Sequence, residues 1–167
     1  MFTQPNPVIY KKDMKETFRI VTNASGLCIL DPEMVRHRLS DSADWWTISE
    51  DLLQEINEGN LYVLDLGSDG NYDVTVEFTE TSEDYSNAVN INCKSGKIYI
   101  GQAEQVTSDG FEPEEKYGGK YFSVVAGTYS IIARREKRRL QLSIQRIIEH
   151  RKNTLKTLPS LGDYGLF

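Results

Sequence analysis

The stretch Leu64–Phe78, LDLGSDGNYDVTVEF, decides how the chain is read. It holds three aspartates four apart, Asp65, Asp69 and Asp73, around an Asp-Gly pair, so it is either a calcium loop or a turn between strands. Aligned as an EF-hand with Gly70 at the invariant sixth place, it puts Gly67 at the third ligand position and Val76 at the twelfth, where a bidentate glutamate is required. Two ligands are missing, and the flanks alternate aliphatic and polar residues, which specifies strands rather than helices. Asp-Gly tolerates positive φ at both central turn positions. The reading is therefore a β-hairpin, Leu61–Leu66 turning into Tyr72–Phe78, with no metal site.

The same pattern extends outward. Ala88–Cys93 and Lys97–Gly101 flank the turn KSG, and GTYSIIARR (127–135) and RLQLSIQR (139–146) flank EKR. Before them, TFRIVT (17–22) and LCIL (27–30) read as two short strands around NASG. Three hairpins in series predict a mainly β protein, an antiparallel β-sandwich with one or two short helices and a long acidic loop. The loop is QVTSDGFEPEEKYGGK, residues 105–120, and loops of that length are more often functional than structural.

The helix is expected between Thr47 and Glu58. Thr47 followed by Glu50 fits a capping box, Leu52, Leu53 and Ile56 recur at helical spacing, and Gly59 stands where a left-handed C′ residue belongs. Trp45 and Trp46 enter this helix, one ring stapling it to the core while the other stays partly exposed. Asp31 before Pro32 is a second helix start, with the carboxylate as N-cap; beyond it MVRHRL fits helix or strand. Residues 1–15 read as an extended arm. The tail 159–167 is expected to be weakly structured unless it docks. A chain of 167 residues can bury a self-supporting core, so one domain is expected.

Composition excludes several classes. The apolar runs are too short for a membrane span, and the start MFTQPNPVIYKKD has no export signal pattern, which points to a cytoplasmic protein. Cys28 and Cys93 lie in separate apolar segments without CxxC spacing, and read as buried thiols. His37 and His150 are too few for a histidine-rich zinc centre. There is no GxSxG elbow, Walker loop, dinucleotide fingerprint or HExxH, so neither an enzyme nor a cofactor is indicated.

Charge is the stronger lead. The net charge is -6, but Asp41–Ala133 holds eighteen acidic residues against four basic ones, whereas Arg134–Lys152 holds eight basic against two acidic. The acidic part fits a basic protein partner, steered by carboxylates and anchored by aromatics. The candidate contact residues are Asp109, Phe111, Glu112, Glu114, Glu115 and Tyr117, with Trp45 and Trp46. The alternative is a nucleic-acid or anionic-surface module using Arg134, Arg135, Lys137, Arg138 and Arg139. The turn position of that run, its lack of interleaved aromatics and the acidic remainder argue against nucleic acid. A structural or self-associating role, including a homodimer, stays open.

DPEMVRHRLSDSADWW, then EINEGNLYVLDLGSDGNYDVTV and later AGTYSI, resembles a family of small uncharacterised bacterial proteins. SGKIYI and the strand opening GTY resemble the β-sandwich inhibitors that guard competent bacilli against their own nuclease. The resemblance implies a cytosolic β-sandwich with no catalytic residues to carry over, acting as an immunity or inhibitor protein for a toxin.

Overall fold

In a computed structural model, which describes residues 14–79, 88–106, 112–149 and 151–167, the alternation of Tyr72–Phe78 is realised directly: Tyr72, Val74, Val76 and Phe78 are buried and Asp73, Thr75 and Glu77 are not. Burying a side chain of this size contributes about 1.5–3 kcal/mol, so the face is strongly specified.

Among the described residues nine strands form two facing sheets. In chain order they are β1 (Met14–Thr22), β2 (Gly26–Leu30), β3 (Tyr62–Asp65), β4 (Gly70–Phe78), β5 (Val89–Cys93), β6 (Lys97–Gln102), β7 (Lys120–Ser123), β8 (Gly127–Glu136) and β9 (Arg139–Ile147). The larger sheet runs β1-β4-β9-β8-β5 and the smaller β3-β2-β6-β7. Phe122 of β7 meets Phe18 of β1 at 6.0 Å and Phe78 of β4 at 5.7 Å, closing one end of the core between the sheets. This is a mainly β, sandwich-like architecture whose two longest helical elements are the 3-10 segment Pro32–Arg38 and the helix α1, Ser49–Asn57.

Two of the three expected hairpins are not hairpins. β3 and β4 lie in different sheets, as do β5 and β6; only β8 and β9 pair across a tight turn. GSDGN is a corner that carries the chain from one sheet to the other. Its positive-φ residues are Gly67 and Gly70, not Asp69. Side-chain alternation reports which face is buried, whereas strand partnership depends on what approaches the edge. Tyr62, Val63 and Leu64 are buried in succession, the mark of a strand covered on both faces. One pairing is also parallel, β4 against β9, in register from Asp73 with Arg139 to Phe78 with Ile144.

The three aspartates do not converge. Asp65 accepts from the Gly67 amide at 2.8 Å, Asp69 from the Ser25 hydroxyl at 2.6 Å, and Asp73 pairs with Arg19 at 3.1 Å. Each carboxylate fastens a different part of the corner or the adjoining strand pair.

The expected capping box is absent. The Thr47 hydroxyl donates to the Asp44 carbonyl within a short 3-10 turn, Trp45–Thr47, and Ile48 is the N-cap of α1 without a side-chain bond. The C-terminal reading holds: Gly59 is left-handed at φ +80°, and the amides of Gly59 and Asn60 return to the carbonyls of Ile56 and Glu55 in a Schellman motif. Trp45 is 1% exposed beneath the Arg38 guanidinium, 4.9 Å from its ring centre, while Trp46 is half-buried against the core. Residues 32–39, open between helix and strand in sequence, form the 3-10 segment with Asp31 as its cap and Leu39 closing it.

Glu55 ties these elements together. Buried on α1, it accepts from Arg38 Nε at 2.9 Å and Asn60 Nδ2 at 2.6 Å, and lies 2.6 Å from His37 Nε2. Burial alone pushes its carboxyl up, but the bonds from Asn60, His37 and Arg38 outweigh it and hold the group below its ordinary value. A carboxylate depressed in the fold adds stability above its unfolded pKa, about 4.3, and loses it as pH falls through the lower folded value. Glu55→Gln is therefore expected to destabilise the protein at pH 7 and to approach wild type below about pH 4, as read by urea midpoints across pH. An equal deficit at both ends would show that the charge on Glu55 does not matter.

The tail docks. Leu161 is buried, Asp65 and Leu161 exchange backbone bonds with the tail and with β3, and Ala133 and Arg135 of β8 and Lys137 just beyond it donate to the carbonyls of Phe167, Gly165 and Asp163. The segment therefore continues the edge that β5 begins.

Candidate acidic groove

The two crossovers nearest Pro32 meet on Asp31. The chain leaves β2 at Asp31, whose carboxylate caps the 3-10 segment through the Glu33 amide at 3.0 Å. The same carboxylate takes the KSG corner between β5 and β6: Lys94 N at 2.6 Å, Ser95 N at 2.7 Å and Ser95 Oγ at 2.8 Å. Cys93, at the end of β5, feels this environment; burial first, then the Asp31 charge, push its thiol up to about 11. Burial also raises the Cys28 thiol. Both cysteines are buried and free, as the sequence suggests.

Outside this anchor a groove of about 1040 Å³ opens, lined by Glu33, Arg36, Lys97, Glu112, Glu114, Glu115, Tyr121 and Ser123 beside Asp31. Four accessible carboxylates, Glu33, Glu112, Glu114 and Glu115, share it with two cations, Arg36 and Lys97, while Asp31 is buried beneath them. Arg36 is held between Glu33 at 2.8 Å and Glu112 at 3.2 Å, Glu114 pairs with Lys116 at 3.1 Å, and Glu115 accepts from the Tyr121 amide at 2.8 Å. Tyr121 forms the aromatic wall. Its hydroxyl donates to the Pro113 carbonyl at 2.6 Å and its ring packs 5.1 Å from Tyr99. Burial, with Glu112 next, pushes the Tyr121 phenol up, so it remains a neutral donor.

The loop is pinned where it returns to β7. Tyr99 donates to the Gly118 carbonyl at 2.5 Å, and Gln102 donates to the Tyr117 carbonyl. Gly119, at φ +80°, passes so close to Tyr99 that a Cβ there would stand 2.4 Å from the phenol oxygen, so a side chain is excluded on both counts.

Of the sequence candidates, Glu112, Glu114 and Glu115 come together in this groove. Tyr117 is 61% exposed beside it, under the Lys116 ammonium. Trp45 and Trp46 do not line it, and burial keeps Trp45 from any surface contact. Asp109 and Phe111 lie outside the described residues. Asp31, Glu33 and Tyr121 were not singled out as site residues; the Asp-Pro cap was the one available signal.

The basic run divides. Arg135 is 6% exposed and its guanidinium is spent on the carbonyls of Leu66, Leu161 and Lys137 and on Asp163. Arg138 stacks 4.7 Å from the Tyr72 ring and donates to the Asp69 carbonyl at 2.7 Å, bracing the corner. Lys137, Arg138 and Arg139 are exposed and Arg134 is half-buried, donating to Ser143. Arg135 does not share the solvent-facing turn position of Lys137 and Arg138, because it occupies an inward position of β8. Among the described residues no group of three or more His, Cys, Asp or Glu is arranged to hold a metal ion. No described helix is long and apolar enough to cross a membrane.

Fold and groove together define a two-sheet β-sandwich scaffold that presents a carboxylate-rich cleft at its surface. The chain belongs to the family of unknown function DUF6386, whose model matches residues 14–159. A search of curated protein sequences finds no match. Among solved structures the chain is similar to one described as crocagin biosynthetic gene J, with 13% identity over 80% of this chain and 98% of that one and a TM-score of 0.51, which is a likeness of fold. It is also similar, at 9% identity over 82% of this chain and 100% of the other and a TM-score of 0.47, to ComJ from Bacillus subtilis, described as an inhibitor of the DNA-degrading activity of NucA.

Proposed function

We propose that the protein is a non-enzymatic protein-binding module that receives a basic partner in the acidic groove, in the role of an immunity protein or inhibitor of a basic toxin such as a nuclease. The observation that carries this reading is the groove's lining of four accessible carboxylates against two cations beside the aromatic wall of Tyr121. Carboxylates at a rim accelerate encounter with a cationic surface and accept bidentate bonds from its arginines, while an aromatic supplies apolar contact area. Tyr117 adds a second aromatic surface at the edge of the same cleft.

The test is capture of the partner from the source cell with tagged protein, followed by binding kinetics and an assay of the partner's activity. Glu112→Lys/Glu114→Lys/Glu115→Lys is expected to slow association about tenfold or more at low salt and to change dissociation less, because rim charges act mainly on encounter. Stoichiometric loss of the partner's activity on binding supports the inhibitor role. A basic partner whose on-rate ignores both the charge reversals and added salt would remove the groove from the interface.

A further inference from the structure

The outer edge of β7 is closed by a side chain standing in for a strand. Tyr121 pairs with Tyr99 of β6, yet its amide points away from β6 and donates to Glu115 Oε1 at 2.8 Å. The inward amides are those of alternate residues, as the bond from Val124 N to the Gly96 carbonyl shows at 2.9 Å. Ser123 therefore presents its amide outward beside that of Tyr121, and among the described residues nothing accepts from it. The edges at β5, β3 and the end of β8 are closed differently. β5 is covered by Asn153, which takes the Asn90 amide at 2.7 Å and donates to its carbonyl, and by the Gly59 carbonyl on the Asn92 amide; β3 and the end of β8 are covered by the tail backbone. Only an exposed carboxylate, on a 3-10 turn rather than a strand, guards Tyr121.

We infer that the outer edge of β7 is a strand-addition site for an extended, lysine- or arginine-bearing segment of the partner, with Glu115 as its displaceable stopper. The inference rests on the acidic-groove reading and specifies how the groove is filled. Tyr121 and Ser123 both line the groove, so a strand laid on this edge runs along its wall. A carbonyl of the incoming strand takes the Tyr121 amide from Glu115, and another takes the Ser123 amide. Alternate side chains of the added strand point to one face, which places every second residue toward Glu112 and Glu114. The displaced Glu115 is then free to pair with one of those cations. Main-chain bonds supply affinity without sequence demand, and the carboxylates select for positive charge.

The probe is a capped peptide alternating lysine and valine, compared with a copy N-methylated on the backbone amides of one edge, each titrated into the full chain by NMR with amide exchange. The unmethylated peptide is expected to slow exchange at Tyr121 and Ser123 and to bind about tenfold tighter than the methylated copy, the effect of a few added main-chain bonds. Ser123→Pro, which removes an outward amide on an edge strand, is expected to abolish that preference. Should the substitution disturb folding, the comparison of the two peptides on the unaltered protein decides alone. Equal binding without protection at Ser123 overturns strand addition and leaves the acidic groove standing. Binding of neither peptide at low salt overturns both.

Discussion

Asp31→Ala is expected to destabilise the protein by about 3–5 kcal/mol, since it leaves four part-buried donors without their shared acceptor at about 1–3 kcal/mol each at most. The carboxylate is fully buried and accepts from Glu33 N, Lys94 N, Ser95 N and Ser95 Oγ. Two crossovers lose their common fastening at once: the start of the 3-10 segment and the corner between β5 and β6. In a domain of this size the melting temperature should fall by about 10 °C or more. Asp31→Asn separates the contributions, because one amide oxygen can retain some acceptances while the NH2 faces donors. It should recover part of the loss at most. A thermal midpoint for Asp31→Ala within about 2 °C of wild type, less than a single lost cap should cost, would mean that water or rearranged carbonyls replace the carboxylate.

Arg135→Met should cost a similar amount, about 3–5 kcal/mol, the range for removing one member of a buried charged network. Methionine fills much of the space but donates nothing, which strands the carbonyls of Leu66 and Leu161 that Arg135 Nη1 now reaches at 2.6 and 2.8 Å. The loss should be local first. Amides of Ala133 and Phe167, which bond to each other's carbonyls, should exchange faster before the rest of the sheet does. Asp163→Ala is the control: its side chain is 72% exposed, so removing its contact with Arg135 should cost only about 0–1 kcal/mol. Equal costs for the two substitutions would show that the ion pair, rather than the bonds to carbonyls, holds the tail.

These two residues also show what the sequence could and could not convey. Asp31 was legible as a cap, because the Asp-Pro pair is a local signal. Its second role depends on a turn 63 residues away that nothing local announces. Arg135 sits in a run of basic residues and so reads as solvated, yet it continues the Tyr129, Ile131, Ala133 series on the inward face of β8. Period-two reading carried through the charge would have placed it inside. The burial pattern of β4 was legible for the same reason, and the partner of β3 was not, since a short Asp-Gly connection serves a hairpin or a corner equally well. In the groove, Glu112, Glu114 and Glu115 were legible as loop charge; Tyr121 was hidden in the short strand KYFS, too brief to show a period.

The docked tail has a consequence for biosynthesis. A ribosome releases β8 and β9 before residues 159–167, so the guanidinium of Arg135 and the outward amides of Ala133, Arg135 and Lys137 must wait for a segment made after them. Until then the nascent chain carries a naked sheet margin, the kind of surface that recruits wrong neighbours. β1 meets β4 across more than fifty residues and β4 meets β9 across more than sixty, so little of the larger sheet can be settled early. Vectorial synthesis thus places the docking of residues 159–167 after the rest of the larger sheet, and a chain stalled before them would offer that margin to chaperones and proteases.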